Sequence, residues 1–273
     1  MKKSSNIDYL IISAAYPYRG GISDSTHSLV NQMSKQNIKC EVWTFKFLYP
    51  KLFFPGKTQY SKEEFNSNFK IAREISTLNP LTWIITAKKI NKRGPKKLIF
   101  RYWTPLLALS YFVISSILNS KIKVIGLVDN WSAHEKIFFE GFFRKLFIKS
   151  CDSFISFSEN VGKNLKKNTN KKVLSLFHPI NNHLPNKISK TEAQSNLNLP
   201  SKKYILFIGL VRKYKGVETL IKAFHYVSKE HKNLELIIAG EFYDDITKYN
   251  KLIKRKDIED KVIIDDNFLE SSK

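Results

Sequence analysis

Three short stretches of this sequence hold residue types that can bind charged groups or move protons. The first is Arg212-Lys213-Tyr214-Lys215-Gly216, which follows the apolar run Ile205-Leu206-Phe207-Ile208. Three cations in four residues, set just before an expected helix, can grip a diphosphate. Guanidinium and ammonium groups make charge-assisted hydrogen bonds, and the first N–H groups of a helix lack intrahelical partners and attract anions. In so basic a chain, an incidental cationic turn is the plainer alternative. The second stretch is Gly20-Gly21, between the first apolar run and an amphipathic segment that opens around Asp24. Adjacent glycines let a backbone approach a ligand closely, although they also simply make turns, and their spacing is not the GxGxxG dinucleotide fingerprint. The third is Asp129-Asn130, followed four residues later by His134-Glu135. These four polar groups cluster at the end of an apolar run, where they could orient a substrate or handle a proton. Helix capping and turn formation explain the same residues: Glu135 suits a helix N-terminus, and Asp129 and Asn130 make turns.

All three stretches fall where a repeated βα pattern places its loops. Short apolar runs at 7–14, 40–45, 97–101, 122–128, 153–157 and 172–176 read as strands. Between them, 23–36, 80–92, 105–118, 135–149 and 158–167 have helical spacing, and Ser158 is placed to cap the last. Residues 62–78 also read as a helix, broken from the next by Asn79-Pro80, and 47–60 as an aromatic, proline-punctuated loop. Such alternation implies a parallel sheet covered on both faces. Residues 177–201 are rich in Pro, Asn and Ser and read as a linker with one short helix. The alternation then restarts, with strands at 204–209, 234–240 and 261–264 and helices at 216–229 and 244–256. The expected fold class is α/β with two Rossmann-like, doubly wound domains. The expected boundaries are 1–184, a linker at 185–200, and 201–273. The last part has room for about three strands, where a doubly wound domain usually has five or six.

Taken together, these motifs resemble one family. Pro17-Tyr18-Arg19-Gly20-Gly21-Ile22 before an amphipathic helix resembles the opening of the family-4 retaining glycosyltransferases, which have the GT-B fold. Tyr102-Trp103-Thr104-Pro105, Asp129-Asn130-x4-His134-Glu135, Gly209-Leu210-Val211-Arg212-Lys213-Tyr214-Lys215-Gly216 and Ala239-Gly240-Glu241 follow in the family's order. The resemblance implies a sugar moved from a nucleotide diphosphate sugar, with no metal or other cofactor required. It implies donor contacts at Gly20, Gly21, Arg212, Lys215 and Glu241, and acceptor-side positions at Asp24, Asn130 and Glu135. Many relatives place a His at the strand end where this chain has Asp129, so Asp129 and His134 are the candidates for the polar group at the reacting sugar. An Arg that directly follows the first glycine in many relatives is Leu210 here. The family's late Glu-x7-Glu segment, which holds the donor's sugar and ribose, has no counterpart after Glu241. A truncated, non-catalytic remnant or one half of a split enzyme is therefore the rival expectation.

Composition limits the partners. A surplus of 46 Lys and Arg over 24 Asp and Glu gives +22, a field that suits phosphorylated substrates, an anionic membrane face or nucleic acid. No nucleic-acid reader motif accompanies the cations, so nucleic acid is not expected. Two cysteines make no disulfide framework and no zinc spacing. The start reads as a first buried strand and not as a signal peptide, so a cytoplasmic chain, or one peripheral on the inner membrane face, is the expectation. Residues 102–118 are the most apolar segment, at the short limit for a membrane span, and read as a core helix of the α/β layer. Residues 136–149, KIFFEGFFRKLFIK, interleave Phe with cations. They read either as an interfacial helix on anionic lipid or as a core helix with snorkelling cations. The first reading would fit a lipid-linked glycan acceptor and polysaccharide assembly at the inner face of the cell membrane.

Overall fold

The computed structural model describes residues 7–50, 54, 56–62, 64–132, 139–179 and 186–269. The chain forms two units. The first comprises Met1–Pro50 and Tyr60–Asn182, and the second His183–Lys273 together with the segment Lys51–Gln59.

The first unit is a seven-stranded parallel sheet in the order β3-β2-β1-β4-β5-β6-β7. Its strands are β1 (Tyr9–Ile12), β2 (Cys40–Phe47), β3 (Lys70–Ser76), β4 (Lys97–Tyr102), β5 (Lys123–Val128), β6 (Ser153–Ser156) and β7 (Val173–Ser175). Successive side chains of a strand point to opposite faces, so Leu10 and Ile12 enter one core while Ile11 enters the other. Helix α1 (Gly21–Lys35) covers the second of these with Val30. The first is covered by α2 (Pro80–Arg93), α3 (Ala108–Ile117), α4 (Glu140–Ser150) and α5 (Glu159–Lys166). Tyr111 stacks on Phe100 at 4.3 Å and Phe147 on Tyr102 at 4.1 Å, so α3 and α4 are seated on β4 by aromatic rings. The segment read as the most apolar holds α3, which is a core helix with Ala108, Tyr111 and Ile114 buried. Among the described residues no helix is long and apolar enough to cross a membrane.

Local chemistry sets the ends of these elements. Asn79 accepts from the Leu81 N–H at 3.0 Å and Pro80 starts α2, while Gly94, in the left-handed region, ends it. Ser158 accepts from the Val161 N–H at 3.2 Å and caps α5. The helix expected over 62–78 is not formed; residues 70–76 are the edge strand β3, paired in parallel with β2. Lys70, Arg73 and Glu74 would suit a helix surface equally well, but here they charge an exposed sheet edge and blunt it. Arg73 also donates from Nε and Nη2 to the carbonyls of Phe45 and Lys46, where the β2–β3 register shifts.

The second unit contains α6 (Lys190–Asn196), β8 (Lys203–Ile208), α7 (Val217–Glu230), β9 (Leu234–Ala239), α8 (Ile246–Arg255) and β10 (Val262–Asp265). Its parallel sheet has the order β10-β9-β8. Val217, Ile221 and Phe224 of α7 and Tyr249 and Ile253 of α8 pack with Leu236 and Ile238 as its core. β8 is an edge strand with Leu206 and Ile208 exposed. This second Rossmann-like domain is incomplete in the chain.

One side chain fastens the first unit at the carboxyl ends of its strands. Arg101 lies near the end of β4 with 1% of its side chain exposed. Its Nε and Nη2 donate to Asp129 Oδ2 and Oδ1 at 2.8 and 2.7 Å, a bidentate pair. Nη1 donates to the Ile22 carbonyl at 3.0 Å and to Thr26 Oγ1 at 2.8 Å, and Nη2 also to Ser25 Oγ at 2.7 Å. All five guanidinium donors are thus used, joining β4, the end of β5 and the first turns of α1. Replacing Arg101 with Ala leaves the Asp129 carboxylate uncompensated and should cost about 3–5 kcal/mol in urea unfolding. Replacing both partners with apolar residues (Arg101→Met with Asp129→Leu) should cost much less than Arg101→Ala alone. Additive losses in that double-mutant cycle would mean that the pair does not act as a unit.

Candidate functional site

The first unit gathers five of the expected residues, Gly20, Gly21, Asp24, Asp129 and Asn130, at one end of its sheet. β1 ends at Ile12, and Gly20 precedes α1 with φ of 101°, a left-handed conformation that a side-chain-bearing residue resists. Nothing stands within 4 Å of where a Cβ on Gly20 or Gly21 would be. The turn is therefore not glycine for lack of space; Gly20 is required by its backbone angle. Asp24 lies in the first turn of α1, its N–H bonded to the Gly20 carbonyl at 3.1 Å. Behind the turn, His27 Nε2 accepts from the Tyr16 N–H at 3.0 Å, and the ring stacks on Phe65 at 3.9 Å.

Asp129 and Asn130 follow β5, two strands away from β1 in the sheet. Asn130 is exposed. Asp129 is largely enclosed, and both its oxygens receive Arg101. Its charge is already met by a cation, which suits a group that orients its neighbours better than one that removes a proton. His134 and Glu135 lie outside the described residues. Tyr102 and Trp131 pack near one another at 6.2 Å beside this strand end, and burial pushes the Tyr102 hydroxyl pKa up.

In the second unit the cations sit at the carboxyl end of β8, as read from the sequence. Val211 bridges to Phe242 beyond the end of β9, with the Val211 N–H on the Glu241 carbonyl at 3.0 Å. Arg212 follows, half-buried, its guanidinium 4.6 Å from the centre of the Tyr243 ring. Lys213–Lys215 forms one 3-10 turn with both lysines exposed, and Gly216 then opens α7. Arg212, Lys215 and the first N–H groups of α7 thus share one strand end. Close approach of β8 and β9 makes the turn possible: a Cβ on Gly240 would lie 2.1 Å from the Gly209 carbonyl oxygen.

Glu241 is fully buried, and its carboxylate accepts from the Lys57 N–H. The Lys57 ammonium reaches the Asp266 carbonyl at 2.5 Å and its carboxylate at 3.1 Å, while Phe54 meets the Tyr243 ring edge-on at 5.7 Å. Sequence reading left the segment around Lys57 as a loop without a role. It also missed Arg101, although an arginine inside the run Leu98-Ile99-Phe100-Arg101-Tyr102 calls for a buried acid. Neither cysteine offers a nucleophile: burial pushes the Cys40 thiol up to about 12 and the Cys151 thiol well above its ordinary value. Among the described residues no group of three His, Cys, Asp or Glu side chains could hold a metal ion.

Comparison with known proteins adds to this geometry. The family model described as "Glycosyl transferases group 1" matches residues 189–265, less than half of the chain. Among curated proteins, none matches. Several solved structures are similar. The catalytic domain of starch synthase IV from Arabidopsis thaliana, bound to ADP and acarbose, gives a TM-score of 0.64 at 12% identity, over 98% of this chain and 75% of that one. A variant of S. aureus TarM in complex with fondaparinux, α-GlcNAc-glycerol and UDP gives 0.61 at 11% identity, over 97% and 78%. The UDP-GlcNAc 2-epimerase from Methanocaldococcus jannaschii gives 0.59 at 15% identity, over 97% and 74%. At such identities the likeness shows the fold, which is GT-B: two Rossmann-like units, with about three quarters of the neighbours' length present in this chain.

Proposed function

We propose that the chain is a nucleotide-sugar glycosyltransferase of the family-4 retaining type. In this reading, 1–184 is the acceptor-side domain, 185–200 a linker, and 201–273 the part of the nucleotide-sugar domain that grips the donor. The observation that carries the proposal is the second unit's strand end, where Arg212 and Lys215 meet the N-terminus of α7. A diphosphate is the ligand that such an arrangement of cations and unpaired N–H groups fits. The GT-B fold also serves 2-epimerases, as the neighbour from Methanocaldococcus jannaschii illustrates. The match to the group 1 glycosyltransferase model over this same segment favours transfer.

The remaining roles follow from the same reading. Gly20 and Gly21 belong to the donor side, and Asp24, Asn130 and Glu135 to the acceptor side; Glu241, being fully buried, serves the donor side indirectly, by holding the Lys57 backbone. His134 supplies a polar group near the reacting sugar, and Asp129 acts there through Arg101, by fixing the first turns of α1. No metal is needed, because cations and helix dipole meet the diphosphate charge. A lipid-linked glycan at the cytoplasmic membrane face is the acceptor class that suits a chain of +22. The second reading, a non-catalytic half, is favoured by the exposed Leu206 and Ile208 on the edge strand β8.

Calorimetric titration with UDP and with ADP tests the proposal. Each charge-assisted hydrogen bond contributes about 1.5–3 kcal/mol, so Arg212→Ala or Lys215→Ala should weaken nucleotide binding by about 10- to 100-fold. Lys229→Ala, at the far end of α7, should leave affinity unchanged. Equal affinity of all three variants and the parent chain would remove Arg212 and Lys215 from the site. Release of free sugar or formation of glycoside from a UDP-sugar separates transfer from the non-catalytic reading. Conversion to the 2-epimer would mark an epimerase.

A further inference from the structure

Part of the outer face of the first unit's helical layer, over α2, α3 and α4, is apolar where a solvent-facing layer is ordinarily polar. α2 buries Trp83, Ala87 and Ile90 on its inner side. Its outer side begins with Leu81, Ile84 and Ile85, all exposed, and turns cationic only at Lys88, Lys89 and Lys92. α4 repeats the arrangement. Phe147 lies in the core, Phe142 near the helix start is 57% exposed, and Lys145 and Lys149 follow on the surface. Among the described residues of the Phe-rich stretch, Phe147 is in the core, Phe143 packs partly against it, and Phe139 and Phe142 face outward. Between them α3 touches both neighbours, shows Leu106 and Leu109 at its start, and carries no charged residue along Ala108–Ile117.

The three helices follow strands of one parallel sheet, so their N-terminal ends lie along the same border. Leu81 and Ile85, Leu106 and Leu109, and Phe142 therefore line one edge of the layer, with lysines behind them. Across α2, α3 and α4 there are seven basic residues and one acid, Glu140. Lys89 and Arg93 are paired with Glu74 and Glu41 of the adjoining strands, so Lys88, Lys92, Lys145 and Lys149 are the exposed cations the border offers.

We infer that this border is a docking surface for an anionic lipid bilayer. Apolar side chains enter the boundary between headgroups and acyl chains, and the cations behind them meet lipid phosphates. A second copy of the chain is a poor occupant, because its own +22 would bring like charges together. The inference does not rest on the transferase reading, since bilayer binding requires no nucleotide.

Co-sedimentation with vesicles tests it directly. The chain should pellet with equimolar phosphatidylcholine and phosphatidylglycerol, pellet far less with phosphatidylcholine alone, and be released as salt rises to about 0.5 M. Leu81→Ser with Ile85→Ser, or Phe142→Ser, should weaken partitioning by about tenfold or more. These side chains lie outside the core, so circular dichroism and the melting temperature should stay near those of the parent. Lys88→Glu with Lys145→Glu provides a second arm that alters only exposed charges. The inference is overturned by no binding to anionic vesicles, by equal binding to both vesicle types, or by unchanged partitioning of the variants. A dimer abolished by the same substitutions, without vesicle binding, would assign the border to self-association and also overturn it.

Discussion

The ion pair of Arg101 with Asp129 is the constraint around which the first unit's ligand-facing end is arranged. β4 is central in the sheet, and a charge in its buried run would be prohibitively costly alone. Asp129 at the end of the neighbouring strand compensates it, and the remaining donors are spent on Ile22, Ser25 and Thr26 of α1. The glycine turn before α1 is consequently held from behind by a fully satisfied network. Such networks rigidify because any one displacement strands another buried polar group. The Gly20-Gly21 turn, with no side chain in the way, thus sits on a fixed support, the combination expected where a backbone must meet a ligand reproducibly.

The second unit reaches a similar result by different means. β8 and β9 approach so closely beyond their ends that Gly240 has no room for a side chain. The backbone there runs straight into Arg212 and the start of α7. Tyr243 lies under the Arg212 guanidinium and limits its freedom, which lowers the entropy lost when an arginine grips an anion. Lys57 and Phe54, from a segment far away in sequence, close over Asp266 and Tyr243. Buried Glu241 serves that closure through its bond from the Lys57 N–H.

Much of this was legible in the sequence because it rests on local signals. The βα alternation, the Ser158 cap, the Pro80 start and the cations after β8 each depend on a few consecutive residues. The fold class followed from repetition of those signals. What escaped was non-local. β3 carries a charge pattern that suits a helix surface equally well, and only its pairing with β2 decides the matter. Asp129 was read for its chemistry at a strand end. Its partner Arg101 is 28 residues away, and nothing in the spacing links them. The segment around Lys57 shows neither periodicity nor a recognisable motif, and its docking is a property of the folded second unit. The outward-facing Phe142 and the core Phe147 lie in one cationic run, and the helix phase that separates them requires the position of the sheet.

The central claim is that the second unit's β8–α7 junction receives a nucleotide diphosphate, and hydrogen–deuterium exchange with saturating UDP or ADP tests it most directly. The expected result is slowed exchange confined to the amides of residues 209–221, with the amides of α8 unchanged. Unaltered exchange at that junction, or protection confined to residues elsewhere in the chain, would contradict it.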